Sequence, residues 1–160
     1  MSKNLKKIIK NIRINILKKT FQAQSSHIGS CFSIVELLSV LYFKKLKTND
    51  TFILSKGHAA LALYCLLYER KMLSKSELDN YGKNNSNLMA HASHRVNGIE
   101  FSTGSLGHGL PYAVGKALGE KNNKSKNNVY VLISDGELNE GTTWESFLFA
   151  SFHKLNNLFI

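Results

Sequence analysis

Five apolar residues, VYVLI at 129–133, are followed at once by the polar and glycine-containing stretch SDGELNEG at 134–141. A run this short and apolar is typical of a strand buried on both faces in a parallel sheet. Two more short runs, TFIL at 51–54 and NLFI at 157–160, indicate further strands. Because strand, loop and helix alternate along the chain, the sequence predicts an α/β fold with a parallel sheet flanked by helices.

The helices are predicted from apolar residues at helical spacing and from capping signals. The first covers about residues 3–22, where apolar residues recur every three or four positions. Further helices are predicted over about 59–69 and 106–120, whereas the polar stretch 83–100 is predicted to be an ordered functional loop. Three Ser/Thr-x-x-Glu sequences predict capping boxes at helix starts: Ser33 with Glu36, Ser74 with Glu77, and Thr142 with Glu145.

Length and composition exclude several classes of protein. The 160 residues predict one domain over 1–160, and the last apolar run ends at Ile160 without a covering element, so we expect a fold truncated at its C-terminus. The net charge of +10 comes mostly from Lys, without an Arg cluster, so nucleic acid is not the expected partner. No membrane span is expected, and Cys31 and Cys65 lack metal or redox spacing, which favours a reduced, cytoplasmic protein.

Asp135 is the first candidate for chemistry. It follows the 129–133 strand, at the end where parallel sheets bind ligands, and Gly136 beside it lets the backbone approach a ligand closely. A carboxylate in this position suits Mg²⁺ bound to phosphates, because Mg²⁺ prefers hard oxygen ligands. An ordinary strand-to-helix turn with a solvated Asp is the alternative interpretation.

A glycine-rich loop and a set of histidines are the other candidates. Gly104, Gly107 and Gly109 precede a helix, where free backbone NH groups favour an anion or a flat ring, although turn and packing roles are equally compatible with the pattern. The histidines of SSHIGS, SKGHA and AHASH lie in loops or at element starts, which suits hydrogen bonding to anionic or hydroxylated groups. Zinc is not expected, since His91 and His94 lack two further ligands at suitable spacing.

Taken in order, four segments resemble the N-terminal region of transketolase: SSHIGS at 25–30, SKGHAALALY at 55–64, AHASHRVNGIEFSTGSLGHGL at 90–110 and SDGELNEGTTWE at 134–145. The resemblance covers about residues 8–160 and is closest to split transketolases, in which the N-terminal and C-terminal halves are separate chains. It implies a domain that binds thiamine diphosphate through Mg²⁺ or another divalent cation.

The resemblance also implies roles for individual residues. Asp135 matches a magnesium ligand, Gly136 contacts the diphosphate, and the adjoining Glu137 is included in the predicted cofactor site. His58 matches a histidine close to the diphosphate. The remaining matches are Gly104, Ser105 and Leu106 for the loop along the thiamine, His27 and His91 for catalytic histidines on the donor sugar's hydroxyls, and Glu140 for an acid at the subunit interface.

Three departures from the family pattern stand out. Ser134 replaces the glycine before the metal-binding Asp, and SSHIGS replaces SGHPGG, with the loss of two glycines and a proline. The asparagine that completes the metal site in the family falls beyond Ile160, and Asn156 and Asn157 come too early to substitute for it.

The function implied is transfer of a two-carbon ketol unit from a ketose phosphate to an aldose phosphate, as in the pentose phosphate pathway. The expected partner is a C-terminal transketolase subunit carrying the pyrimidine-binding domain, in a dimer or heterotetramer, and the chain alone is expected to be inactive. The alternative is a truncated, catalytically inactive fragment that acts at most as an interaction module. A basic nucleic-acid-binding module is the other competing class.

Overall fold

In a computed structural model, which describes residues 3–160, the three predicted strands form one parallel sheet. They are β1 (Thr51–Leu54), β2 (Val129–Leu132) and β3 (Leu158–Phe159), in the order β1-β2-β3. Ile53 lies beside Val131, and Val129 lies beside Leu158. The predicted α/β class and parallel pairing are therefore confirmed.

The burial of β2 differs from the prediction of a strand buried on both faces. Val129 and Val131 are buried, whereas Tyr130 and Leu132 between them are half-buried. Tyr130 stacks on Phe159 of β3, with ring centroids 4.9 Å apart. The strand thus has one fully buried face and one partly exposed face, because successive side chains point to opposite sides of a sheet.

The chain divides into two compact units. The sheet unit comprises Lys47–Gly57 and Glu100–Ile160, with the three strands and the helices α6 (Gly109–Asn122) and α7 (Gly141–Phe152). Helix α6 packs on β1 and β2, and α7 packs on α6. The core between α6 and the sheet contains buried apolar residues from both: Ile53, Leu110, Ala113, Val114, Ala117, Val129, Val131 and Leu155.

The helical unit comprises the described residues up to Leu46 together with His58–Ile99. Its helices are α1 (Lys3–Ala23), α2 (Ile28–Phe32), α3 (Val35–Val40), α4 (Ala60–Glu69) and α5 (Lys75–Asp79), and a π-helical turn (Leu41–Lys45) extends α3. Helix α1 packs on α2, α3 and α4, and Ile9, Ile12 and Ile16 are among its buried residues. On the same helix, the buried Lys19 places its ammonium group 2.6 Å from the Asp79 carboxylate of α5.

Only one of the three predicted capping boxes is confirmed. Ser74 accepts from the Glu77 backbone NH, and the Glu77 carboxylate accepts from the Ser74 NH. The box at Ser33 is wrong, since the Ser33 hydroxyl donates to the Ser30 carbonyl, and Glu36 instead binds Arg13. The Arg13 guanidinium holds the pKa of Glu36 below its usual value.

The third predicted capping box, at Thr142, is also wrong. Helix α7 is preceded by Glu140, which makes no side-chain cap, and the Thr142 hydroxyl donates to the Gly107 carbonyl. Helix α6 begins at Gly109 rather than near Leu106, because Gly107 has a φ of +77°, which does not fit a right-handed helix.

Residues 83–100 contain no helix or strand but are anchored by buried side chains, in agreement with the predicted ordered loop. Leu88, Ala92, Val96 and Ile99 are all buried within it. No described helix is long and apolar enough to cross a membrane.

Candidate functional site

Asp135 lies beyond the carboxyl end of β2, where the sequence predicted it. Its side chain is exposed, and it opens a single 3-10 turn, Gly136–Asn139. Because β1 and β2 are parallel, the end of β1 lies at the same edge, and the backbone NH of Ser55 donates to the carbonyl of Leu132. This edge therefore presents an exposed carboxylate beside a close-packed backbone.

The glycine-rich loop lies against this turn. A side chain at Gly136 would place its Cβ 3.5 Å from Cδ1 of Leu106, so the loop and the turn are neighbours. Gly104 and Leu106 are half-buried, and Ser105 is exposed. Within the sheet unit, Asp135 thus lies together with four other residues of the predicted cofactor site: Gly104, Ser105, Leu106 and Gly136.

Two glycines permit close backbone packing around this edge. A Cβ at Gly57 would lie 2.6 Å from the carbonyl carbon of Thr103, and a Cβ at Gly109 would lie 2.6 Å from Cα of Ser55. The Thr103 hydroxyl, itself buried, donates to the Leu54 carbonyl at 2.6 Å. These contacts fix the glycine-rich loop to the end of β1.

Glu137 differs from the other predicted cofactor residues because it is fully buried. Oε1 of its carboxylate accepts hydrogen bonds from the Ser55 hydroxyl and from the Gly107 NH at 3.0 Å. Oε2 accepts from the Ser134 NH at 2.9 Å and from the Ser134 hydroxyl at 3.4 Å. Glu137 can therefore affect cofactor binding only by positioning the segments to which it is hydrogen-bonded.

The start of α7 carries the predicted interface acid and an exposed apolar face. Glu140 is exposed immediately before the helix. Trp144, Leu148 and Phe152 follow at helical spacing and are 55%, 73% and 81% exposed. Large apolar side chains this exposed and this close together are typical of an interaction surface.

Three predicted histidines lie together in the helical unit. The ring centroid of His27 is 5.4 Å from that of His58 and 6.0 Å from that of His91. His27 adopts a left-handed backbone conformation with a φ of 68°, which is uncommon outside glycine and often marks a functional loop. The Tyr64 hydroxyl donates to the carbonyl of His91 at 2.9 Å, and burial raises the pKa of that phenol, so it remains a donor.

Two of the three histidines are exposed to solvent, and Nδ1 of His27 lies 3.2 Å from the Ser26 hydroxyl oxygen. His27 and His91 are exposed and His58 is half-buried. Among residues 3–160, no three His, Cys, Asp or Glu side chains are arranged as a metal site on their own. The cluster offers ring nitrogens to a hydroxylated or anionic ligand.

Comparison with known proteins agrees with this geometry. Residues 4–160 match the family profile described as the thiamine diphosphate-binding domain of transketolase. The chain belongs to the transketolase family. It is 43% identical to one subunit of the apulose-4-phosphate transketolase of Actinobacillus succinogenes, over 84% of this chain and 52% of that protein.

Single-chain transketolases are also similar. Human transketolase is 40% identical over 96% of this chain and 26% of its own length. The crystal structure of transketolase from Campylobacter jejuni superimposes with a TM-score of 0.91 at 30% identity, over 99% of this chain and 28% of that one. The chain thus spans about half the length of the split-subunit relative and about a quarter of the single-chain relatives.

Proposed function

We propose that this chain supplies the diphosphate-binding half of a transketolase active site, with Asp135 as a ligand of Mg²⁺ or another divalent cation. The observation that carries the proposal is the exposed Asp135 carboxylate beside Gly136 at the carboxyl edge of the sheet. Mg²⁺ in such sites is held by one or two carboxylates together with phosphate oxygens and water, so Asp135 would supply one ligand and the diphosphate would supply others.

The glycine-rich loop fits the organic part of thiamine diphosphate. Leu106 offers an apolar side chain 3.5 Å from the point that a Cβ at Gly136 would occupy, while Gly104 and Ser105 offer backbone groups without bulk. We propose that this loop lies along the thiamine and that Gly136 contacts the diphosphate. When bound, thiamine diphosphate supplies a carbon nucleophile for ketol transfer.

The histidines are proposed to hold ligands rather than to perform redox or metal chemistry. His58 is assigned to the cofactor's diphosphate, and His27 and His91 to the hydroxyls of a ketose phosphate donor. Imidazole nitrogens donate or accept hydrogen bonds near neutral pH, which suits both tasks. The 6.0 Å between the ring centroids of His27 and His91 allows neighbouring hydroxyls of one donor sugar to be held at once. The 5.4 Å between the ring centroids of His27 and His58 would place that donor beside the diphosphate of the cofactor.

We propose that a C-terminal transketolase subunit docks on the apolar face of α7 and beside Glu140. The support is the exposure of Trp144, Leu148 and Phe152, together with the Actinobacillus relative, which is named as one subunit of a transketolase. Burial of such residues contributes about 25 cal/mol per Å² of apolar surface.

The proposed location is the cytoplasm. Both cysteines are buried and form no disulfide, which suits a reducing compartment.

The test is reconstitution with the C-terminal subunit of a split transketolase. Two-carbon transfer from a ketose phosphate to an aldose phosphate is measured with and without thiamine diphosphate and Mg²⁺. We expect activity only when both polypeptides and both ligands are present. Transfer by this chain alone would refute the need for a partner, and a complete mixture that forms a complex and binds cofactor but transfers nothing would refute the proposed reaction.

A further inference from the structure

The Glu137 carboxylate joins three segments that are far apart in sequence. Its partners are Ser55 after β1, Gly107 in the glycine-rich loop and Ser134 after β2. Ser55 is 82 residues away along the chain and Gly107 is 30 residues away. The side chain is fully buried, so these protein groups, rather than bulk solvent, must satisfy the carboxylate.

All the partners of this carboxylate are donors. Two backbone NH groups and two hydroxyls are divided between its two oxygens, which matches an ionised acid that only accepts hydrogen bonds. Burying a charge is costly unless hydrogen bonds compensate it, and bonds to a charged acceptor are about twice as strong as neutral ones. The main chain of Glu137 is held as well, since its carbonyl accepts from the Thr143 hydroxyl at 2.6 Å.

The acid therefore fixes both sides of the candidate cofactor site. Gly107 follows Leu106 of the glycine-rich loop, and Ser134 precedes Asp135. Because the Glu137 carboxylate accepts from both Gly107 and Ser134, it sets the separation between the loop and the turn. Ser134, which stands where the family has glycine, adds a hydroxyl donor to the same carboxylate.

We propose that Glu137 is a positioning residue that holds the glycine-rich loop 104–107 against the Asp135–Gly136 turn, with Ser55 and Ser134 as its hydrogen-bond donors. This inference rests on the proposed function for its effect on cofactor binding. Its effect on the ligand-free loop stands independently of that function.

The experiment compares Glu137→Gln with Glu145→Gln, which makes the same charge change at an exposed position on α7. The glutamine amide has the same shape, but each oxygen of Glu137 accepts from a backbone NH, that of Gly107 or that of Ser134. The amide NH₂ must therefore face one of these NH groups, and that bond becomes a donor–donor contact. Hydrogen–deuterium exchange of the full chain without ligand should be at least about tenfold faster for amides 103–108 and 134–137 in Glu137→Gln, where tenfold corresponds to about 1.4 kcal/mol of local opening. Exchange in α6 and β2 should stay unchanged, as should all exchange in Glu145→Gln.

A second measurement links positioning to the ligand. Glu137→Gln should weaken the binding of thiamine diphosphate with Mg²⁺ at least about tenfold at a temperature where the variant is fully folded. If Glu137→Gln does not fold, Ser55→Ala and Ser134→Gly replace it. Each removes one hydroxyl donor and should give a smaller but localised rise in loop exchange, larger for Ser55→Ala because the Ser134 hydroxyl contact is long at 3.4 Å.

The outcomes separate this inference from the proposed function. Unchanged loop exchange in every variant, or faster exchange spread evenly over the sheet unit, would overturn the positioning role. A different result would be faster exchange confined to the loop in the variants, together with no cofactor binding by the wild-type chain even with its partner subunit. That result would keep the positioning role and overturn the proposed function.

Discussion

The glycine-rich loop should not tolerate a side chain at Gly107. This residue has a φ of +77°, and an added Cβ would lie 2.6 Å from the Thr142 hydroxyl oxygen and 2.8 Å from Cβ of Glu140. A positive φ costs a non-glycine residue about 1–2 kcal/mol, and overpacking costs about 1–3 kcal/mol more. We therefore expect Gly107→Ala to lower the free energy of unfolding by about 2–5 kcal/mol.

The matched control is Gly119→Ala. Gly119 lies within α6 and has nothing within 4 Å of its added Cβ, so alanine should stabilise the helix by about 0.5–1 kcal/mol. Thermal unfolding followed by circular dichroism distinguishes the two, because about 1 kcal/mol shifts the Tm by roughly 2–4 °C in a chain of this size. Gly107→Ala should unfold roughly 4–20 °C below the wild type. If it unfolds within about 2 °C of the wild type, the close approach of the loop to the start of α7 is refuted.

Three further predictions concern stability and thiol reactivity. Ser74→Ala should cost about 0.5–2 kcal/mol in urea unfolding because it removes the confirmed cap, whereas Ser76→Ala within the same helix should cost nothing; equal effects would contradict the cap. The Lys19 ammonium holds the pKa of Asp79 below its usual value, so the ion pair stabilises the fold above about pH 4 and the benefit is lost as the pH falls through the lowered pKa. Asp79→Asn should therefore be less stable than the wild type by under about 1 kcal/mol at about pH 7, and this difference should shrink as the pH falls below the ordinary pKa of an aspartate; a difference independent of pH would contradict the assignment. Cys31 and Cys65 are both buried, and burial raises the pKa of the Cys65 thiol. A thiol reagent should therefore label neither cysteine in the native chain and both in denaturant. Rapid labelling of the native chain would contradict this burial.

The sequence predicted those features that depend on local pattern. Strand β2 and Asp135 at its end follow from a short apolar run and the polar residues after it, and the family motifs predicted that Leu106 and Gly136 belong to one site. The cap at Ser74 was also predictable, because both of its hydrogen bonds are with Glu77, three residues away. In each case the feature depends on residues that are close in sequence or that belong to a recognisable family motif.

Contacts between distant residues explain what the sequence did not predict. Ser33 and Thr142 have the same cap signature as Ser74. At the first, however, Glu36 binds Arg13, which is 23 residues away, and at the second the Thr142 hydroxyl donates to the Gly107 carbonyl, which is 35 residues away. The complete burial of Glu137 depends on donors from three segments, and no local pattern indicates them. Ser134 in place of the family glycine was the one sequence signal at this network.

Whether Asp135 holds a metal-bound diphosphate can be measured by isothermal titration of the chain with thiamine diphosphate, with and without Mg²⁺, in the presence of the C-terminal subunit. We predict Mg²⁺-dependent binding that Asp135→Asn weakens at least about tenfold, while Glu145→Gln leaves it unchanged. Binding that is equally tight in Asp135→Asn, or no binding by the wild-type complex, would contradict the assignment of Asp135 as the ligand of a metal-bound diphosphate.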